Sequence, residues 1–253
     1  MRIVVVGASG LIGAKTVERL RKQGHDIVPA SRKSGVNTIT GEGLQEAIKG
    51  ADVVLDVSNA PSWEDKEVME FFEVSTKNLL AAGGEAGVKH HIALGVVGTD
   101  RLQDSGYFRA KQVQEKLIKS GKIPYTIVHA TQFFEFLGGI ADAATVGSTT
   151  NLSTGHMQPI AADDVADVMA STCAQTPVNT TIEIAGPDRL PQNELVARYL
   201  KATGDSRQIT AAADAPYYGV ILDEHKLVPG PGGKICPTSL DEWLKTKAPA
   251  VKH

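Results

Sequence analysis

The feature that most narrows the choice of fold is a glycine-rich turn between an aliphatic strand and a helical pattern. Arg2–Val6 runs directly into Gly7-Ala8-Ser9-Gly10-Leu11-Ile12-Gly13. Glycines at such a turn reach backbone angles closed to other residues and let the main chain come close to an anion. The helix that follows aims its unpaired N–H groups and the positive end of its dipole at the same spot. Strand, turn and helix in this order imply a βαβ unit and a pyrophosphate cradle. Its expected contacts are Gly7, Ser9, Gly10, Leu11, Ile12 and Gly13. The spacing is GxxGxxG, and without the flanking strand and helix a glycine trio reads equally well as a turn with no ligand.

The rest of the chain repeats the alternation. Strand-length apolar runs at Asp26–Ala30, Asp52–Val57, His91–Leu94 and Tyr125–His129 are separated by helical patterns at Leu11–Gln23, Leu44–Lys49, Trp63–Ala82 and Tyr107–Lys119. That pattern predicts an α/β fold, a doubly wound parallel sheet covered by helices. Gly24 and Gly83-Gly84 read as helix stops. Later the alternation weakens over Val146–Gly155, where Gly, Thr and Ser thicken; Ala162–Ala174, Thr181–Ala185 and Pro191–Ala202 read as helix, strand and helix, and Ala211–Gly233 reads as irregular. The expected division is a dinucleotide-binding domain over 1–130, completed by about 157–185. Residues 131–156 and 186–253 form a small C-terminal substrate lobe.

Composition removes several classes of function. Lys+Arg 26 against Asp+Glu 29 gives a net charge of -3, without the basic excess of a nucleic-acid binder. No apolar run approaches the ~18 residues of a membrane span, and the apolar start is too short for a signal segment. Cys173 and Cys236 form no CxxC pattern, so neither a disulfide framework nor a metal knuckle is indicated. The expectation is a cytoplasmic protein acting on a small molecule, with no nucleic-acid or membrane partner. A homo-oligomer is left open.

The strand ending at Ala30 is where NAD enzymes place an acid for the adenosine ribose. Here Ser31-Arg32-Lys33-Ser34 follows, and the nearest acid, Asp26, sits at the other end of the strand. A guanidinium pairs with a 2′-phosphate, so Ser31 and Arg32 favour NADPH over NADH; a solvated basic turn is the plainer alternative. Further on, Tyr107-Phe108-Arg109-Ala110-Lys111 sets a phenol and an ammonium four apart. On a helix they share a face, about 6 Å apart along the axis. A neighbouring cation lowers a phenol toward a useful acid strength, which makes Tyr107 and Lys111 the catalytic candidates.

In sum of motifs the chain resembles a short-chain dehydrogenase/reductase of the extended or atypical kind, in the NmrA-like NAD(P)H-binding branch. The resemblance rests on GASGLIG and Tyr107–Lys111 taken with Pro124–Val128, the Ala130-Thr131-Gln132-Phe133-Phe134 run, Ile160–Ala166 and Ile184-Ala185-Gly186-Pro187. It implies a Rossmann sheet with a substrate lobe. It also implies that Asn59 and Ala60 line the cofactor groove, that Gly95 and Thr131 border the nicotinamide, and that Gln132, Phe133, Phe134 and Phe136 wall a substrate pocket, with Tyr217 and Tyr218 as further candidates. Two positions depart from the pattern. Gly95 stands where such proteins carry Ser or Thr, and His129 where they carry Arg. Losing a hydroxyl donor costs ~10²–10³ in rate, so Gly95→Ser is expected to raise turnover by up to ~10²-fold if the serine rotamer fits, and by little if Thr99, Ser105 or a backbone N–H already supplies the bond. The function implied is NADPH-dependent reduction of a carbonyl or similar group; the alternative is an NADP(H)-binding redox sensor without catalysis.

Other signals carry plainer readings. Neighbouring His90 and His91 point to opposite faces of a strand and do not suggest a metal site. Phe133, Phe134 and Phe136 suit a core as well as a pocket. Glu135 reads as surface, and Asp163-Asp164 as the cap of the helix that follows.

Overall fold

In the computed structural model, which describes residues 1–246, the first strands and helices are β1 (Arg2–Val6), α1 (Leu11–Lys22), β2 (Asp26–Ala30), α2 (Leu44–Ile48), β3 (Val53–Asp56), α3 (Asp65–Ala86), β4 (His90–Val96), α4 (Gly106–Ser120) and β5 (Tyr125–Ala130). There follow α5 (Leu137–Ala143), β6 (Thr145–Val146), β7 (Thr149–Ser153), β8 (His156–Met157), α6 (Ala162–Cys173), β9 (Thr180–Ala185), β10 (Leu190–Pro191) and α7 (Gln192–Thr203). The described part closes with β11 (Gln208–Ala212), β12 (Pro216–Tyr217), β13 (Val220–Ile221), β14 (Lys234–Ile235) and α8 (Leu240–Lys245). No helix among the described residues is long and apolar enough to cross a membrane.

A seven-stranded parallel sheet has the order β14-β9-β5-β4-β3-β1-β2. Residues Ile3 to Val6 of β1 are all buried, as expected for a strand covered on both faces. β1 pairs with β2 from Arg2↔Asp26 to Val6↔Ala30, and with β3 from Ile3↔Val53 to Val6↔Asp56. This register brings the residues after Val6, Ala30 and Asp56 to one edge. The strand order reverses between β1 and β3, the place where open α/β sheets bind ligands.

The chain divides into two compact units, Met1–His129 with Val165–Ile182, and Ala130–Asp164 with the described residues from Glu183 on. In the first, Val4, Val6, Ala30, Leu44, Ile48, Val54 and Leu79 belong to one apolar core. Helix α3 does not stop at Gly83-Gly84 but runs to Ala86, with Gly87 left-handed at its end. The reason is packing: a Cβ on Gly83 would stand 2.9 Å from Ile123 Cδ1, so the small residue admits a neighbour instead of breaking the helix. In the second unit, the stretch where the alternation weakens contains β7, central in the sheet β11-β7-β6, and the stretch expected to be irregular contains the short pair β12-β13. The β7 partners, from Gln208 to Ala212, are distant in sequence, and local periodicity does not reveal such pairing.

Candidate cofactor and catalytic site

The glycine turn is held by its own backbone. Gly7 N–H donates to Ala30 O at 3.0 Å, and Gly10 N–H to Gly7 O at 2.9 Å. Gly7 has φ +82°, and a Cβ there would lie 2.8 Å from the Ser58 main chain. A Cβ on Gly13 would lie 2.1 Å from Gly7 O, so only glycine lets the first turn of α1 rest on the strand end. Ser9, Gly10 and Leu11 face solvent at this point, while Ile12 packs inward. First-turn N–H groups of α1 lack intrahelical partners by geometry, which suits an anion. Such a cradle, impossible with any larger residue, fits a dinucleotide's pyrophosphate.

Arg32 begins a single 3₁₀ turn, Arg32–Ser34, immediately after β2. Ser34 Oγ fastens that turn, accepting from Ser31 N–H at 2.9 Å and donating to Pro29 O at 2.8 Å. The Arg32 side chain is exposed, one residue beyond the strand end on which the glycine turn hangs. Asp26 is at the opposite end of β2, 2.9 Å from Arg2 Nη1. Asn59 and Ala60 follow Ser58 along the same edge; Asn59 is exposed, and Ala60 packs on the cluster of Val68, Phe72 and Ala110.

Tyr107 and Lys111 lie on α4, whose start is tied down by Arg109. That guanidinium donates to the carbonyls of Gln103 and Asp104, each at 2.9 Å, and pairs with Asp65. The Tyr107 ring packs against Phe72 at 5.9 Å edge-on and against Trp63 at 5.1 Å, although Trp63 itself is 70% exposed. Burial pushes the phenol above its ordinary range, where the sequence led us to expect Lys111 to pull it down. The ammonium is engaged elsewhere: Lys111 Nζ donates to Leu94 O at 2.8 Å and to Gln114 Oε1, and stands 4.5 Å from the Phe72 ring centre. Burial lowers Lys111 to about 8, against the opposing pull of Asp56 and Glu115.

The two departures at 95 and 129 turn out to be one arrangement. A Cβ on Gly95 would lie 2.5 Å from His129 Cδ2, 3.1 Å from its Nε2 and 3.3 Å from Glu115 Oε1. His129 Nε2 is 2.7 Å from Glu115 Oε1, and Lys119 Nζ is 3.2 Å from Glu115 Oε2. The imidazole thus occupies the volume of the absent side chain. Glu115 is held below the usual carboxylate range: burial works against this, but the bonds to His129 and Lys119 prevail. A serine added at 95 alone would meet the imidazole, so the fit that the expected gain from Gly95→Ser requires is not met while His129 keeps its place. Thr99 is no substitute, because its Oγ1 donates to Val96 O at 2.7 Å.

Residues 7–176 match the family model described as NAD(P)H-binding. The chain belongs to the NAD(P)H-binding family. Its curated relatives include the photosystem II assembly factor Ycf39 of Synechocystis sp., 26% identical over 182 residues, 66% of this chain and 56% of that protein. Another is the chloroplastic divinyl chlorophyllide a 8-vinyl-reductase of Arabidopsis thaliana, 24% identical over 240 residues, 79% of this chain and 58% of that one. The chain therefore spans under two thirds of the length of either. Among solved structures, MoeE5 in complex with UDP-glucuronic acid and NAD superposes with a TM-score of 0.77 at 18% identity, covering 98% of this chain and 97% of that one. The fold is that of the extended short-chain dehydrogenases/reductases.

The second unit of this NAD(P)H-binding protein holds the remaining expected residues. Thr131 and Gln132 are buried, and Thr131 Oγ1 and Gln132 Oε1 have no hydrogen-bond partner among the described residues. Phe133 and Phe136 stack at 5.2 Å, with Phe136 half exposed. Phe134 turns the other way, fully buried with its ring 5.5 Å from Trp243, and belongs to the core. Tyr217 and Tyr218 line a separate cavity of about 150 Å³ with Ile140, Ala143, Ala144 and Gln192. Glu135 is not a free surface group: it accepts from Ala162 N–H at 3.1 Å, capping α6, and from Trp243 Nε1 at 3.1 Å. Asp163 and Asp164 both lie in the first turn of α6, where their charge suits the helix dipole, and Asp164 also accepts from Thr238 N–H and Oγ1 at 3.0 and 2.8 Å.

Sequence reasoning passed over Asp56 and Gln114. The available signals were slight, a lone acid ending the aliphatic run Val53-Val54-Leu55 and a polar residue three beyond Lys111.

Proposed function

We propose that this protein is an NADPH-dependent oxidoreductase that reduces a carbonyl or similar unsaturated group of a small molecule. The observation that carries the reading is the edge of the first unit, where the glycine cradle, the Arg32 turn and the Ser58 backbone adjoin. Gly7 and Gly13 bring the main chain to the pyrophosphate, and Arg32 answers the extra phosphate that distinguishes NADPH. When bound, the cofactor supplies hydride. Tyr107 is the group that holds the matching proton and would donate it to the substrate oxygen; burial weakens the phenol as an acid, so the transfer depends on the strong basicity the oxygen gains as hydride arrives. Lys111, held by Leu94 O and Gln114 Oε1 on the same helix as Tyr107, would hold the cofactor ribose, and its charge would act on the tyrosinate through space and not by a bond.

One observation favours a second reading, a non-catalytic NADP(H) sensor: position 95 offers no hydroxyl to a substrate oxygen, and His129 fills its place. The two curated relatives divide in the same way, one a reductase and one an assembly factor. The deciding experiment measures NADPH and NADH binding, then NADPH oxidation with a panel of aldehydes, ketones and quinones. Turnover supports the enzyme. NADPH bound tightly but never oxidised defeats it on that panel and favours the sensor.

A further inference from the structure

Asp56, Gln114 and Lys111 are 2%, 1% and 3% exposed, yet all three are polar. Asp56 Oδ1 accepts from Ser58 N–H at 3.0 Å and Ser58 Oγ at 2.6 Å, and its Oδ2 accepts from Gln114 Nε2 at 3.0 Å. Gln114 Oε1 in turn accepts from Lys111 Nζ. An amide has a donor end and an acceptor end, so a carboxylate on one side and an ammonium on the other fix the direction of Gln114. Ser58 is also the residue against which Gly7 closes. The bonds therefore run unbroken from the wall of the glycine cradle to the ammonium.

We propose that Asp56 and Gln114 are positioning residues that set the place and charge of Lys111 and couple it to the wall of the cofactor cradle. The inference rests on the role given to Lys111 above. Ion–dipole contacts of this kind persist in a buried setting only when every member is partnered, and removing one strands the others. With Asn at 56, either its NH₂ meets the Ser58 N–H, or its NH₂ turns to Gln114 and that amide must set N–H against N–H at one end. The charge on Lys111 is opposed by burial and upheld by Asp56 from β3 and Glu115 from its own helix. Of the other titratable groups, His91 on β4 is held below the ordinary imidazole range by burial while Asp56 pulls the other way, His129 on β5 is bonded to Glu115, and Tyr107 lies one turn away on α4. From α3, Phe72 contributes only its ring.

The test is NADPH affinity by nicotinamide fluorescence from about pH 6 to about pH 10, a range that brackets lysine titration. Wild type, Asp56→Asn, Gln114→Met and Lys111→Met are compared, with circular dichroism to confirm folding. Wild type should lose affinity as pH rises through about 8, and Lys111→Met should abolish that step. Both network variants should move the step roughly one pH unit or more toward acid, because the charged form has lost support. Gln114→Met leaves the bonds between Asp56 and Ser58 in place, so it carries the test if Asp56→Asn does not fold. Profiles of folded variants that coincide with wild type overturn the inference alone, as does a step that survives in Lys111→Met. A wild type that binds no NADPH overturns it together with the reading beneath.

Discussion

Two glycines of the first unit exclude a side chain for opposite reasons. At Gly13 a Cβ would strike backbone, the carbonyl oxygen of Gly7 at 2.1 Å. At Gly95 it would strike a side chain, His129 Cδ2 at 2.5 Å. A backbone obstacle belongs to the fold itself and cannot move without parting helix from strand. A side-chain obstacle is one half of a pair, and its partner can be changed. The cofactor end of the unit is thus built from main chain and tolerates nothing else, while the end around Gly95 is a packing solution with alternatives.

The largest effect should come from challenging the backbone-built end. Gly13→Ala forces α1 off the strand and should cost about 3 kcal/mol of stability, the upper range for overpacking. NADPH affinity should drop by at least ~10²-fold, since the anion site is made by that close approach. Thermal melting and a fluorescence titration measure the two together; a variant that binds as wild type does would remove the distinction drawn here.

Tyr107→Phe comes next and asks whether the side-chain-built end performs chemistry. The ring contacts to Trp63 and Phe72 do not need the hydroxyl, so fold and cofactor affinity should persist. Turnover should fall ~10²-fold, the scale of a lost general acid. Full activity in the variant would place the proton donor elsewhere.

Arg32→Ala tests the one side chain added to the backbone-built end. A charge-assisted bond to phosphate is worth ~1.5–3 kcal/mol, so NADPH should weaken roughly tenfold or more while NADH is unchanged. Equal dissociation constants for the two cofactors in wild type would remove the assignment at once.

The same contrast explains what the sequence made legible. The glycine turn, the strands around it and the opposite placement of Asp26 and Arg32 are local features, declared within a few residues of one another. The misjudged features depend on distant partners. Gly83 is set by Ile123, Glu135 by the first N–H of α6, and the strand Thr149–Ser153 by residues from Gln208 on. Gly95 and His129 were each visible as unusual, but their mutual contact lies across neighbouring strands and could not be read from spacing. The Asp56–Gln114–Lys111 line is similar, joining a strand end to a helix 58 residues away in the chain.

The smallest expected effect is also the most direct probe of the pair. Gly95→Ser alone should destabilise the protein by about 1–3 kcal/mol, because its Cβ meets the imidazole before its hydroxyl reaches anything. His129→Ala alone should also be costly, leaving the buried Glu115 Oε1 without its imidazole partner while Lys119 holds Oε2. In the double variant the serine enters space the imidazole has vacated, with Glu115 Oε1 3.3 Å from its Cβ position as an acceptor. The combined cost should then be less than the sum by about 1 kcal/mol, a typical coupling between residues in contact. Any gain in turnover from a restored hydroxyl should appear in the double variant and not in Gly95→Ser. Denaturant unfolding of wild type, the two single variants and the double variant closes the cycle. Strictly additive costs would mean that Gly95 and His129 are independent, and that side-chain obstacles in this unit are no more negotiable than the backbone at Gly13.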